Sequence, residues 1–141
     1  MSLQTLLFTL FFIFICSCGE NKVGDSINHK TLNTKNSCIC SDLILDELYN
    51  HFYLDDRTLP FTGTCKEYHK NGNLFKKIEY LEGKMDGVLL EYSKNNVLIK
   101  KNNFSKNMMH GETFTYDKNG LLNFHGTYRR GKLDSVIFKI Q

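Results

Sequence analysis

The chain has 141 residues, with no Ala, no Trp and a single Pro, but 11 Phe, 7 Tyr and 10 Gly. That mix argues against a helix bundle, because Ala is the best helix former and aromatic residues favour pleated surfaces. A formal charge of +3 at pH 7 excludes a strongly basic nucleic-acid binder.

The first segment, 1–17, carries no charged side chain, and Leu6 to Ile15 is apolar except for Thr9. A ten-residue run is too short to span a bilayer, which takes about 20 helical residues. It fits the apolar stretch of an export signal. It ends Ile15-Cys16-Ser17-Cys18. An aliphatic residue and two small ones before a Cys resemble the lipobox of bacterial lipoproteins. The resemblance implies lipidation of Cys18, not Cys16, because bulky Ile15 would otherwise occupy the cleavage position. Gly19, rather than Asp, follows the lipidated Cys and resembles an outer-membrane address. The expected location is therefore the cell envelope, with the protein held by two acyl chains.

Residues 18–36 are rich in Asn, Lys, Thr, Ser and Gly. They bury too little apolar surface to order themselves. They read as a tether whose contour is on the order of 60 Å. Three further cysteines come next, Cys38, Cys40 and Cys65. Disulfides persist outside the cytoplasm, and an odd number leaves one thiol over. Cys40–Cys65 is the favoured pairing, and Cys38–Cys65 stays open. Cys38-x-Cys40 lacks the spacer of zinc or redox pairs.

Residues 37–60 are irregular. Leu43-Ile44-Leu45 and Leu48-Tyr49 are short apolar runs. Asn50-His51 leads into a strand at 52–54, and Asp55-Asp56-Arg57 turns into 58–61. A short helix over 42–48 is the competing reading. The segment is expected to cap the open first edge of the C-terminal array, since repeat sheets need protected ends.

From residue 61 onward a 24-residue period governs the chain. Gly63, Gly87 and Gly111 share it, as do Tyr68, Tyr92 and Tyr116. Lys70, Lys94 and Lys118, then Asn71, Asn95 and Asn119, then Leu74, Leu98 and Leu122 complete five identical columns. Tyr80, Phe104 and Tyr128 form an aromatic sixth. The units are 63–86, 87–110 and 111–134, with a half unit at 135–141. Each reads as a β-hairpin. Asn71-Gly72 is expected to be a two-residue turn with positive φ at both positions. Gly83-Lys84-Met85-Asp86-Gly87 is expected to turn into the next unit. Gly120 and Gly131 repeat these turn roles. The fold class is thus all-β, an array of antiparallel hairpins forming an extended, curled sheet.

Period two assigns the faces. Lys66/Leu90/Phe114/Phe138 and Tyr68/Tyr92/Tyr116 fall on one side with Leu74/Leu98/Leu122 and Tyr80/Phe104/Tyr128. This side is the expected core. Glu67, Lys77, Glu91, Lys101, Thr115 and His125 fall on the other, which is the expected wet face and candidate contact surface.

The runs Tyr68-His69-Lys70-Asn71-Gly72-Asn73-Leu74 and Tyr80-Leu81-Glu82-Gly83-Lys84-Met85-Asp86-Gly87 resemble the bacterial MORN-repeat variant. Proteins called YwqK-type antitoxins carry this repeat. Units two and three match it at Tyr92, Asn95, Leu98, His110-Gly111, Tyr116, Asn119-Gly120 and Gly131-Lys132. The resemblance extends over 49–141. It implies a non-catalytic interaction module, antitoxin-like in one form.

Chemistry is sparse. His29, His51, His69, His110 and His125 show no metal-ligand spacing. No phosphate loop or nucleophile elbow occurs. Glu67 and Glu91 share a column, but Lys77 and Lys101 suit a solvated face better than acid–base work. No catalytic set, metal or cofactor is expected, and no enzyme. Residues 18–60 carry four basic and seven acidic side chains, whereas 61–141 carry fourteen and eight. The expected partner is an unidentified protein or a second copy, with the membrane reached through the lipid anchor and no nucleic acid. The alternative is a surface for anionic lipid headgroups, worth about 1 kcal/mol per well-placed Lys or Arg.

Overall fold

The computed structural model describes residues 37–54 and 57–140. The signal, the tether and Cys18 lie outside the described residues, as do Asp55 and Asp56. Within the described residues the chain forms β1 (Ser37–Ile39), a single 3-10 turn (Cys40–Asp42), β2 (Leu43–Asp46), β3 (His51–Leu54) and β4 (Gly63–Tyr68). Then come β5 (Leu74–Leu81), β6 (Lys84–Tyr92), β7 (Leu98–Ser105), β8 (Met108–Tyr116), β9 (Leu122–Arg129) and β10 (Lys132–Lys139). The large sheet is open and runs β1-β4-β5-β6-β7-β8-β9-β10, while β2 and β3 form a separate hairpin. All pairings from β4 to β10 are antiparallel neighbours in sequence, and only β1 joins in parallel, to β4. The competing helix over 42–48 is absent. β2 and the turn that follows it take its place, and Asp46 Oδ1 accepts the amides of Leu48 and Tyr49 within that turn.

The two kinds of turn are exchanged relative to expectation. Asn71-Gly72 is not a two-residue turn. The amide of Gly72 donates to the His69 carbonyl, and the His69 amide donates to Asn73. This makes a three-residue loop that closes on a left-handed residue. Only Gly72, Asn96 and Gly120, the third residue of each loop, have positive φ there. The two-residue turns are Glu82-Gly83, Lys106-Asn107 and Arg130-Gly131, with positive φ at both positions. Glu, Lys and Arg in the left-handed region each cost about 1 kcal/mol or more, so sequence preference alone does not point to them. Lys84, Met85 and Asp86 belong to β6, not to a turn.

A one-residue bulge overturns the face assignment. Glu67 pairs with Lys76 but Tyr68 pairs with Leu74, so Phe75 is extra. Ile99 and Asn123 are the equivalent extra residues in the next two units. One inserted residue moves every later side chain of the strand to the other face. The buried columns are therefore Cys65/Leu89/Thr113 and Ile78/Asn102/Gly126, with Tyr80 beside them. Tyr68 is exposed, and Tyr92 and Tyr116 are half-buried. The expected Tyr column is not core.

A second irregularity recurs in the first two units. Between Ile78↔Leu89 and Tyr80↔Met85, Glu79 alone faces Asp86, Gly87 and Val88. Its carboxylate accepts the Val88 amide at 3.0 Å. A Cβ on Gly87 would lie 2.5 Å from that carboxylate, at a φ of +115°. Gly87 is thus a strand glycine that admits a neighbour's side chain. Gly111 holds the equivalent place in β8, where Asn103 Nδ2 donates to the Glu112 carbonyl.

The N-terminal segment caps the array. Phe52 donates to Gly83, Gly83 to Phe61, and Phe61 to Phe52, all at 2.6 to 2.9 Å. The rings of Phe52 and Phe61 meet Tyr80 edge-on at 5.1 and 5.8 Å. Phe61, Cys65, Leu54 and Cys38 complete the best-buried cluster.

Candidate interaction surface

The six residues of the candidate contact surface do not share a face. Lys77 lies opposite Lys66 and Leu90, Lys101 opposite Leu90 and Phe114, and His125 opposite Phe114 and Phe138. Directly opposed residues share a face. Lys77, Lys101 and His125 therefore flank the column expected to be core. His125 stacks on Phe114 at 4.2 Å and meets Glu112 at 3.3 Å, and Lys101 sits over the same ring. Glu67, Glu91 and Thr115 lie on the other face, the one that carries Cys65, Leu89 and Thr113. There Glu67 pairs with Lys76 at 3.7 Å and Glu91 with Lys100 at 3.3 Å. Lys76 and Lys100 each neutralise a carboxylate across a strand pair, so no acid–base couple of glutamates forms.

The three cysteines converge at the cap. Cys40 and Cys65 form the disulfide, and Cys38 lies buried near it. Cys38 stands directly across from Cys65 in the β1–β4 register. Burial pushes the Tyr80 hydroxyl up to about 12, and Cys38 adds to the effect. Among the described residues no group of His, Cys, Asp or Glu is placed to hold a metal ion. No helix among them is long and apolar enough to cross a membrane.

The loop glycines line two opposite edges of the array. Gly72 and Gly120 close the three-residue loops, where Lys70, Lys94 and Lys118 are exposed. Asn71 and Asn73 both donate to the Lys94 carbonyl, tying the first loop to the second. In the last such loop the Leu121 amide, chief among several donors, holds the Asp117 carboxyl below the usual carboxylate range. The two-residue turns form the other edge. Gly83 donates to Phe61, Asn107 to Met85 and Gly131 to Met109, a bond repeated every 24 residues. Leu133 holds the fourth place in that acceptor column.

The C-terminal end displays apolar side chains beside a basic turn. Leu133, Val136, Ile137, Phe138 and Ile140 are 41 to 57% exposed. At the start of β10 lies a cleft of about 850 Å3, lined by His110, Tyr128, Arg129, Arg130, Lys132 and Asp134. A smaller one of about 200 Å3 adjoins it at Lys106 and Arg130. Arg129 pairs with Asp134 at 3.1 Å. No carboxylate of the described residues lies within ion-pair distance of the Lys106, Arg130 or Lys132 side chains. Arg129 and Arg130 are adjacent in the sequence, and the strand order places them beside an apolar edge strand.

The hairpin geometry of the first unit accords with one comparison. Residues 61–82 match the MORN repeat variant. They span Phe61 to the first two-residue turn, the best-buried stretch of the array. The match suggests a membrane or protein interaction module. No curated protein and no solved structure matches the chain.

Proposed function

We propose that the protein is a non-catalytic protein-interaction module, held at the cell envelope by a lipid on Cys18. The observation that carries this reading is the contrast between the two edges of the large sheet. At one margin the three-residue β1, the disulfide and the packed residues of the β2–β3 hairpin bury the first unit. The other, β10, is exposed at every position. Contiguous exposed apolar surface of several hundred Å² marks an interaction site. Capture of a toxin, which the YwqK-type resemblance implies, is a narrower form of the same reading.

Crosslinking of the full-length protein in living cells, followed by purification from the envelope fraction, tests it. One dominant stoichiometric partner is expected. Recovery of only the protein itself and lipid overturns a heterologous partner and favours self-association or the headgroup surface. Mass spectrometry of the same material is expected to find a diacylglyceryl group on Cys18, and Cys18→Ser to release the protein from the membrane.

The second reading, a surface for anionic headgroups, has its own observation. Lys70, Lys94 and Lys118 stand exposed along one edge, one in each three-residue loop, about 10 Å apart by strand spacing. It requires liposome binding that falls steeply with salt.

A further inference from the structure

Every strand from β4 to β9 has a neighbour on both sides, whereas β10 has only β9. The outer row of β10 backbone N–H and C=O groups thus faces no strand among the described residues, which makes a template for strand addition. The repeat itself shows how the next element sits. Each two-residue turn donates an N–H to a carbonyl of the preceding unit, at Phe61, Met85 and Met109. The Leu133 carbonyl is the next acceptor in the series.

We propose that β10 accepts an extended peptide of a partner protein as a further antiparallel strand. The peptide has an apolar body along Val136 and Phe138 and carboxylates at its C-terminal end, held by Arg130 and Lys132. This rests on the interaction-module reading and specifies its partner. The direction follows from the ladder. A strand antiparallel to β10 runs from the Ile140 end toward Lys132, so its last residues end beside Lys132 and the Arg130 turn. Its final N–H groups then meet the Leu133 carbonyl.

Charge and strand shape select this occupant over a second copy of the chain. The carboxylate within β10 is Asp134, which already pairs with Arg129 at 3.1 Å, so a second β10 strand brings no free carboxylate to Arg130 and Lys132. The β9–β10 register also slips at Asp134 and at Ile137. Such irregularities bend an edge away from the flat form that two identical strands need. A peptide with no fold of its own follows the bend.

The test is selection from a displayed library of random twelve-residue peptides on the full-length chain. The expected pool has apolar residues in its body and Asp or Glu concentrated at its C-terminal end. Synthesis of one selected peptide with alternate backbone nitrogens methylated is expected to abolish binding, since only strand pairing needs those N–H groups. The double variant Arg130→Glu/Lys132→Glu is expected to bind it about tenfold more weakly, about 1.4 kcal/mol. The fold tolerates Glu at position 130, because Glu82 occupies the equivalent turn place at nearly the same φ. An unchanged far-UV spectrum and an intact Cys40–Cys65 bond confirm folding. No enrichment, acid-free peptides, or binding indifferent to methylation or to the double variant overturns the proposal. So does sedimentation of the unliganded chain as a dimer that the double variant leaves intact. A crosslinked cellular partner that ignores the double variant sinks this inference alone. The absence of both partner and peptide sinks the module reading with it.

Discussion

The same columns of the repeat are filled differently at the two ends of the sheet. At the capped end, Phe61 and Cys65 are fully buried, and Ile78 and Tyr80 close over them. One unit on, Asn102 replaces Ile78 and bonds to Thr113, which stands where Cys65 and Leu89 stood. Another unit on, Gly126 takes the Ile78 place, and the Phe124 ring folds over it. In the last half unit Leu133 and Ile137 hold the Phe61 and Cys65 places at 49 and 57% exposure. Equal columns thus do not mean equal stability. Apolar side chains stabilise only where another layer removes water from them, and the cap supplies that layer at one end alone.

The largest break in this comparison comes from one column. Phe61→Ala is expected to cost about 3–5 kcal/mol, and Leu133→Ala, in the same column, less than about 1 kcal/mol. Urea unfolding of the two variants reads the difference directly, and equal costs would refute the gradient. Next is the disulfide. Reduction of Cys40–Cys65 is expected to cost about 3 kcal/mol. Hydrogen exchange should speed up at Phe52 and Phe61 while the amides of β9 hold their rates.

Alkaline pH acts at the same end. Folding favours the neutral Tyr80 hydroxyl, whose folded value is raised from 10.0 to about 12. Its contribution, on the order of 2 kcal/mol, is complete below pH 10 and is lost as pH rises toward 12. Tyr80→Phe should flatten that decline in a series of urea titrations. In the middle of the sheet, Thr113→Val leaves Asn102 without its partner and is expected to cost about 1–2 kcal/mol. Replacing both, by Asn102→Ile with Thr113→Leu, copies the first unit and should recover most of that loss. Failure to recover it would mean that the cap, and not the side chains, sets the gradient. The smallest effect is at Asp117. Its depressed carboxyl stabilises the loop above the ordinary carboxylate range, and that support fades as pH falls through the lower folded value. Asp117→Asn should reduce this acid sensitivity without changing the alkaline limb.

The hairpins and their period were legible because Gly, Asn and Leu recur at fixed columns. The faces were not. Phe75, Ile99 and Asn123 look like ordinary strand residues, yet each is the bulge that reverses the pattern behind it. The turn types were obscured for a related reason. Asn71-Gly72 has the composition of a two-residue turn, and Glu82, Lys106 and Arg130 do not, although they adopt its backbone. The core columns were hidden because Thr113, Asn102 and Gly126 interrupt the apolar signal. The candidate site was half visible. Arg129-Arg130 and the apolar run at 136–138 were readable, but only the strand order shows that both border an edge.

The stepwise bonding of each unit to the one before it also has a mechanical side. β1 and β10 lie at opposite margins, seven strand steps or roughly 34 Å apart. Tension drawn through a partner at β10 falls first on a single ladder with little packed against it. That hairpin would peel, then the next, each yielding at low force and lengthening the chain. The peeling stops at Cys65, whose covalent bond to Cys40 leaves no ladder to unzip. The array is in that sense a graded spring with a fixed root.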